Sequence, residues 1–233
     1  MNHPLLQKAS IVLTPTAYGA DTLNAMKPAG SSADFVFTRG STGTRVGESG
    51  LIETIASGKP RINFTSGAGA LLLEPQITNH YLKSEAFDNF SGTINLNNAT
   101  SPTGATNAAK LTKTSASDQF LVLSWSGTTI STSTAYTMSL FVKHNGDDID
   151  VRYEYNNSAD WGVTWTALFL VRASGTTAST VANCTSKVED FGNGWFRISC
   201  TFTTAGSVSA TSPANLVRIT GGDTEIFLFF FFF

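Results

Sequence analysis

The most constraining feature of this sequence is a series of short segments in which apolar and polar residues alternate, separated by glycine, asparagine and aspartate. The clearest is TAYTMSLFVKHNGDDIDVRYEYNN, in which two alternating runs flank a glycine-containing turn and predict a β-hairpin. Similar segments recur along residues 78–233 at a spacing typical of a sandwich. The candidate strands are 92–96, 108–112, 119–124, 135–144, 149–155, 163–171, 179–188, 194–203 and 215–220. We therefore expect an all-β fold in which 78–233 form a β-sandwich of the jelly-roll type.

Residues 1–33 predict an extended N-terminal arm. A short strand at 11–13 is stopped by Pro15, and a helical turn at 22–26 is ended by Pro28. This stretch has too little apolar surface to fold alone, so we expect it to anchor the chain on other proteins.

Residues 34–77 predict a β-rich connector or collar. The stretches DFVFTRGSTGTRVGESGLIETI and RINFTSGAGALLLEP contain short alternating runs joined by glycine-rich turns. Strands this short bury little within one chain, so we expect the collar to depend on neighbouring subunits or on a larger domain. The loop TSGAGA lacks the lysine and the following helix of a phosphate-binding loop, and we interpret it as a turn.

The charge pattern argues against two classes of partner. Only 14% of the residues are charged and the net charge is -2. Because there is no basic excess and no polybasic run, we expect neither nucleic-acid binding nor attachment to an anionic membrane. No apolar stretch has the length of a bilayer-spanning helix, and the first residues lack a signal-peptide pattern, so we expect no membrane insertion and no signal-dependent export.

Two features of the composition leave alternatives open. Cys184 and Cys200 could pair across a hairpin or remain two buried thiols, and they do not form a zinc site without suitably spaced histidines. The uninterrupted run Phe229–Phe233 would be an aggregation hazard if exposed. Buried, it could be a final core strand or a plug in a trimer, and a third interpretation is that it is not the natural sequence.

No arrangement of side chains predicts catalysis. Glycoside hydrolysis needs two carboxylates that face each other across a sugar, and neither the acids of SEAFDNF nor those of GDDID are fixed in such a pair. The three histidines lie far apart in the sequence and suggest no nucleophile with its base. We therefore expect a protein that is not an enzyme.

Aromatic residues are the best candidates for binding a sugar, because a flat ring packs against the apolar face of a pyranose. The segment YEYNNSADWGVTW supplies several, with Trp161 in a loop and therefore expected to be exposed. The predicted carbohydrate-binding set is Tyr153, Tyr155, Asn157, Trp161 and Trp165. The alternative is that these rings belong to the core of the sandwich.

The stretches DFVFTRGSTGTRVGESGLIE and RINFTSGAGALLLEPQITNHYLKSEAFDNF resemble a segment that recurs in phage and prophage fibre-like proteins. YTMSLFVKHNGDD and VEDFGNGWFRISCTFT resemble strands of their jelly-roll domain, which is similar to carbohydrate-binding modules. The resemblance covers roughly residues 34–220. It departs at the C-terminus, where this chain has EIFLFFFFF in place of a segment like WGAQLE-G-YATSYI.

The resemblance implies a virion fibre, spike or decoration protein on the surface of the particle. It also implies a homotrimer. From the arm and the aromatic residues we further expect contacts with other virion proteins through residues 1–33 and binding of host-surface glycans. Sandwich domains of this kind often carry a structural calcium near the chain ends, for which the candidate ligands are Glu85, Asp88 and Asp223. The alternatives are a secreted carbohydrate-binding module and a polysaccharide depolymerase.

Overall fold

The computed structural model describes residues 12–19, 22–26, 35–74, 77–80, 91–124, 129–146, 148–155, 161–208, 214–220 and 225–229. Within these ranges the chain is all-β, as predicted, and its sheets are antiparallel. The strands are β1 (Val12–Gly19), β2 (Thr22–Met26), β3 (Phe35–Val36), β4 (Gly43–Val46), β5 (Ile52–Ile55), β6 (Ile62–Asn63), β7 (Ala70–Leu71), β8 (Thr93–Thr100), β9 (Thr106–Thr112), β10 (Gln119–Ser124), β11 (Ala135–His144), β12 (Ile149–Tyr155), β13 (Trp165–Arg172), β14 (Gly175–Ala182), β15 (Cys184–Asp190), β16 (Trp195–Thr203), β17 (Ala214–Thr220) and β18 (Glu225–Phe229).

The chain divides into two compact units, Met1–Ile77 together with Phe233, and Thr78–Phe232. This division falls at the position where the sequence pattern changes from collar to sandwich. We call them the N-terminal unit and the sandwich unit.

The N-terminal unit contains three small sheets, formed by β1, β2 and β3, by β4 and β5, and by β6 and β7. The expectation of a helical turn at 22–26 is wrong, because these residues form the middle strand of the first sheet. β1 also continues past Pro15, with irregular pairing between Leu13 and Tyr18. Because β3 belongs to the same sheet, the predicted arm and collar are joined by backbone hydrogen bonds.

The sandwich unit consists of a five-stranded sheet in the order β10-β17-β12-β13-β14 and a six-stranded sheet in the order β15-β16-β11-β18-β9-β8. One apolar core contains inward-facing side chains of both sheets. In β13 every second residue is buried, as period-two alternation requires. The sheets therefore pack face to face as a β-sandwich, and the jelly-roll topology stays a prediction.

Most predicted strands of this unit are present, and β10, β11 and β12 have the predicted bounds. The segment 179–188, predicted as one strand, instead belongs to β14 and β15. The extended backbone is interrupted at Asn183, whose φ of 50° is in the left-handed region that asparagine tolerates better than most residues. Its side-chain amide donates to the Thr164 carbonyl at 2.7 Å, which holds the break in place.

The segment that leads into the phenylalanine run is a central strand. β18 lies between β11 and β9 and pairs with both, with Ile226 opposite His144 on one side and Leu111 on the other. The Ile226 side chain is fully buried in the core. Residues 225–229 thus form a central strand that ends at the first residue of the run, and residues 230–233 lie outside the described part, so the alternatives for the run stay open.

The turn between β8 and β9 covers part of the outer face of the six-stranded sheet. Trp195 and Phe141 are buried outside the main core, and the Trp195 indole donates to the Thr100 carbonyl at 2.9 Å. Ser101 and Pro102, in the turn between β8 and β9, are buried as well. The contact between Trp195 and Thr100 indicates that this turn folds over part of the outer face.

Ile226→Ala should lower the free energy of unfolding by about 2–5 kcal/mol, because it leaves a cavity beside the strand that joins β11 to β9. Chemical denaturation of the full chain measures this effect. Leu96→Ala is the control, since Leu96 is exposed and its truncation should change stability by less than about 0.5 kcal/mol. Equal effects of the two variants would contradict the central placement of β18.

Candidate functional site

Arg39, in the segment DFVFTRG, organises the loop that follows β5. Its Nη2 donates to the carbonyls of Ala56 at 2.7 Å, Lys59 at 3.1 Å and Ile55 at 3.3 Å. Its own carbonyl accepts from the Gly58 amide at 2.9 Å. Burial, and to a smaller extent the charge of Arg61, lower the pKa of Arg39. The hydrogen bonds from the Arg39 guanidinium to three backbone carbonyls hold this loop in place.

The glycines of this segment make room for its charged side chains. A Cβ at Gly43 would lie 2.5 Å from Nη1 of Arg39. A Cβ at Gly47 would collide with the carboxylate of Glu53, which pairs with Arg45 across β4 and β5 at 3.1 Å. The spacing of arginine and glycine in TRGSTGTRVG thus follows from packing.

The next segment, RINF, connects the two hairpins of the collar. Arg61 donates to the Thr44 carbonyl at 3.1 Å and forms an ion pair with Glu74 at 2.8 Å. The Asn63 side chain accepts from the Val46 amide at 2.8 Å, and the Phe64 amide donates to the Val46 carbonyl at 3.0 Å. The polar side chains of both motifs therefore stabilise the hairpins of the collar and the loops between them.

The expectation that Trp161 is exposed is wrong. Trp161, Trp165 and Tyr153 are fully buried and belong to the main core. Trp165 stacks on Phe202 with ring centroids 4.3 Å apart, and Trp161 packs edge-on against Phe202 at 5.1 Å. The sequence misleads here because Trp161 packs into the core, and the next residue, Gly162, lies against Ala205 and Ser207 with no space for a Cβ. Three of the predicted sugar-binding rings are thus core residues.

The remaining predicted site residues lie outside what the structure describes. Asn157 and the candidate calcium ligands Glu85, Asp88 and Asp223 fall in the undescribed segments, and for Tyr155 only the backbone position at the end of β12 is described. Among the described residues, no group of three or more histidine, cysteine or acidic side chains is arranged to hold a metal ion.

Both cysteines are thiols rather than a disulfide. Cys184 lies opposite Phe202 and Cys200 opposite Ser186, so the two are offset by two residues across β15 and β16. The Cys184 thiol donates to the Thr166 carbonyl at 2.8 Å. Burial, reinforced by the nearby Cys184, raises the pKa of the Cys200 thiol well above its ordinary value of 9.0. Cys200 is therefore protonated and unreactive at neutral pH.

The outer face of the five-stranded sheet carries charges that the motif search did not single out. Arg152 and Glu154 on β12 and Arg218 on β17 lie on this face, and the Glu154 carboxylate forms an ion pair with Arg218. At the start of β12, Asp150 pairs with Arg172 at 2.6 Å, and Asp148 lies 3.5 Å from the same guanidinium. The signal was present in DIDVRYEY, where charged residues alternate with residues of the core.

A scan against protein-family models finds no match, and a search of curated proteins finds none that is significantly similar. No helix within the described ranges is long and apolar enough to span a membrane.

Arg39→Met should loosen the loop after β5, because three carbonyls lose a charged donor. Amide hydrogen exchange at residues 55–59 should accelerate about tenfold or more, as measured by mass spectrometry. Arg45→Met is the matched control, since it removes only a partly exposed ion pair with Glu53, a kind of pair worth about 0–1 kcal/mol. Equal acceleration by both variants would show that the carbonyl contacts of Arg39 are unimportant.

Stability should fall at alkaline pH. Burial raises the pKa of Tyr153 well above its ordinary value of 10.0, as it does for Cys200. Below about pH 8 both groups stay protonated in the folded and unfolded chain, so they produce no pH dependence. At higher pH the unfolded chain releases these protons and the folded chain retains them, which lowers the free energy of unfolding until the folded groups also ionise.

Urea unfolding between pH 8 and about pH 11 measures this decline. Tyr153→Phe should show a shallower decline than the parent protein, because it removes one of the two groups. A decline of the same steepness in both proteins would contradict the assignment to Tyr153.

Proposed function

We propose that this protein is a structural component of a phage particle, a fibre, spike or decoration protein on the virion surface. In this proposal the N-terminal unit attaches to other virion proteins and to further copies of the chain. The sandwich unit, which resembles carbohydrate-binding modules and is proposed to be a jelly roll, is displayed outward. The protein acts without catalysis, and a homotrimer increases its affinity for host glycans through avidity.

The observation that carries this proposal is the distribution of exposed apolar side chains. Four of the five large apolar side chains that are exposed in the described residues belong to the N-terminal unit, although it is the smaller one. They are Leu13, Val36, Leu73 and Ile77, and the fifth is Leu96 of the sandwich unit. Exposed apolar side chains concentrated in one small unit favour a role in assembly.

The internal packing of the N-terminal unit supports the same role. Its buried apolar residues in the described part are Ala25, Ile52, Pro60 and Ile62, whereas the sandwich unit buries a large connected core. The ion pairs of Arg45 with Glu53 and of Arg61 with Glu74 neutralise four of its charged side chains internally. Such a unit gains stability by burying apolar surface against neighbours.

The combined substitution Val36→Ser, Leu73→Ser and Ile77→Ser should reduce assembly without unfolding the sandwich unit. Light scattering coupled to size-exclusion chromatography should give a trimer for the parent protein and smaller species for the variant. Mass spectrometry of purified particles of the encoding phage should detect the parent chain and much less of the variant.

Leu96→Ser is the matched control, because it removes an exposed apolar side chain from the other unit. It should leave assembly and incorporation into particles unchanged. A parent protein that is monomeric and absent from the particles would overturn the proposal.

A further inference from the structure

The two outer faces of the sandwich unit differ. On the six-stranded sheet, Trp195 is buried next to the turn that follows β8, to which its indole donates, so part of that face is covered. On the five-stranded sheet, charged side chains are partly exposed, with 35% of the Arg152 side chain and 33% of the Asp150 side chain accessible. The five-stranded face is therefore the better candidate for contact with a polar ligand.

Arg152 lies at a position on this face where a second positive charge does not favour folding. It lies directly opposite Arg218 in the pairing of β12 with β17. Like charges directly opposite each other across a sheet are destabilising. A local conflict of this kind is more common at functional positions than elsewhere in a folded chain.

The two arginines differ in how their guanidinium groups are used. Arg218 pairs with Glu154 and Asp118, and it lies over the Phe120 ring at 4.8 Å from the centroid. Arg152 has one contact among the described residues, 3.9 Å from Nη1 to Glu154 Oε2, which is longer than a hydrogen bond. Its Nε is buried without a hydrogen-bond partner. The exposed part of the Arg152 side chain is therefore available to a ligand, whereas its buried Nε is not.

The surroundings of Arg152 define the ligand's chemistry. The acids on either side are already engaged, Glu154 with Arg218 and Asp150 with Arg172. A guanidinium with spare donors binds a carboxylate through two parallel hydrogen bonds. Leu168 lies opposite Arg152 on the neighbouring strand β13 and is only half-buried, so it offers an apolar contact next to the charge.

We propose that Arg152 anchors a site for a carboxylate-bearing saccharide on the open face of the five-stranded sheet. The acid group of one sugar residue accepts from the guanidinium, and the carbon face of its ring packs on Leu168. The choice of a saccharide over another acid rests on the proposed function, in which the sandwich unit binds host-surface glycans.

Native gel electrophoresis of the full chain in gels containing polygalacturonate tests this inference, with dextran and poly-L-glutamate gels for comparison. The parent protein should be retarded by polygalacturonate and by neither of the other polymers. Arg152→Gln should weaken the apparent affinity by about tenfold or more, and Arg152→Lys, which keeps the charge but loses the planar fork, should also weaken it. Lys187→Gln is the matched control, because it removes one positive charge from a side chain on the other sheet, and it should be retarded like the parent.

A stability measurement separates binding from folding. Arg152→Gln should unfold at the same or a slightly higher denaturant concentration than the parent, because it removes the opposition to Arg218. Lost retardation with unchanged stability therefore supports a binding role. Destabilisation that accompanies the loss would assign Arg152 to the fold instead and overturn the proposal.

The remaining outcomes are also decisive. No retardation of the parent, or equal retardation of Arg152→Gln and Lys187→Gln, would overturn the site. Equal retardation by poly-L-glutamate would overturn the assignment to a saccharide. If the protein is present in phage particles but is not retarded by polygalacturonate, only this inference is refuted. If the protein is retarded by polygalacturonate but is absent from the particles, the virion proposal is refuted.

Discussion

The sandwich unit depends on one aromatic contact between its two sheets. Trp165, on a strand of the five-stranded sheet, stacks on Phe202 of the six-stranded sheet with an interplanar angle of 8°. Trp161 packs edge-on against both rings, and the Tyr153 hydroxyl reaches the Ile198 carbonyl of the opposite sheet. These large rings bury more apolar surface than any aliphatic residue would at the same positions. The sheets are thus held face to face by the residues that look most like a sugar-binding set in the sequence.

The two units of the chain are stabilised by different interactions. The sandwich unit buries a continuous apolar core, to which the last described strand contributes Ile226. The N-terminal unit is organised by Arg39, Arg61 and Asn63, whose side chains hold hairpins too short to enclose a core. Hydrogen bonds and ion pairs give this unit a defined shape but add little net stability in water. This difference is the physical reason to expect the N-terminal unit to need partners.

Because Trp161 and Trp165 are buried, neither ring is on the surface that a ligand of the sandwich unit would contact. Rings inside the core cannot stack on a sugar, so surface recognition must use residues that alternate with the core residues along the same strands. On β12 these are Asp150, Arg152 and Glu154, which alternate in the sequence with Val151 and Tyr153 and face the other way. A face built on central strands is also more rigid than a loop, which suits it for positioning a guanidinium.

The sequence by itself determined the all-β class, the bounds of β10, β11 and β12 and the start of the sandwich at residue 78, because alternation and turn residues are local signals. Only the tertiary structure decided that residues 22–26 form a strand, that Asn183 divides β14 from β15, and that residues 225–229 lie between β11 and β9. Each of these depends on pairing with other strands, which the local pattern of the segment itself does not encode. The same reason explains Trp161, whose burial depends on Phe202, 41 positions further along the chain, while its neighbours in the sequence are those of a surface loop.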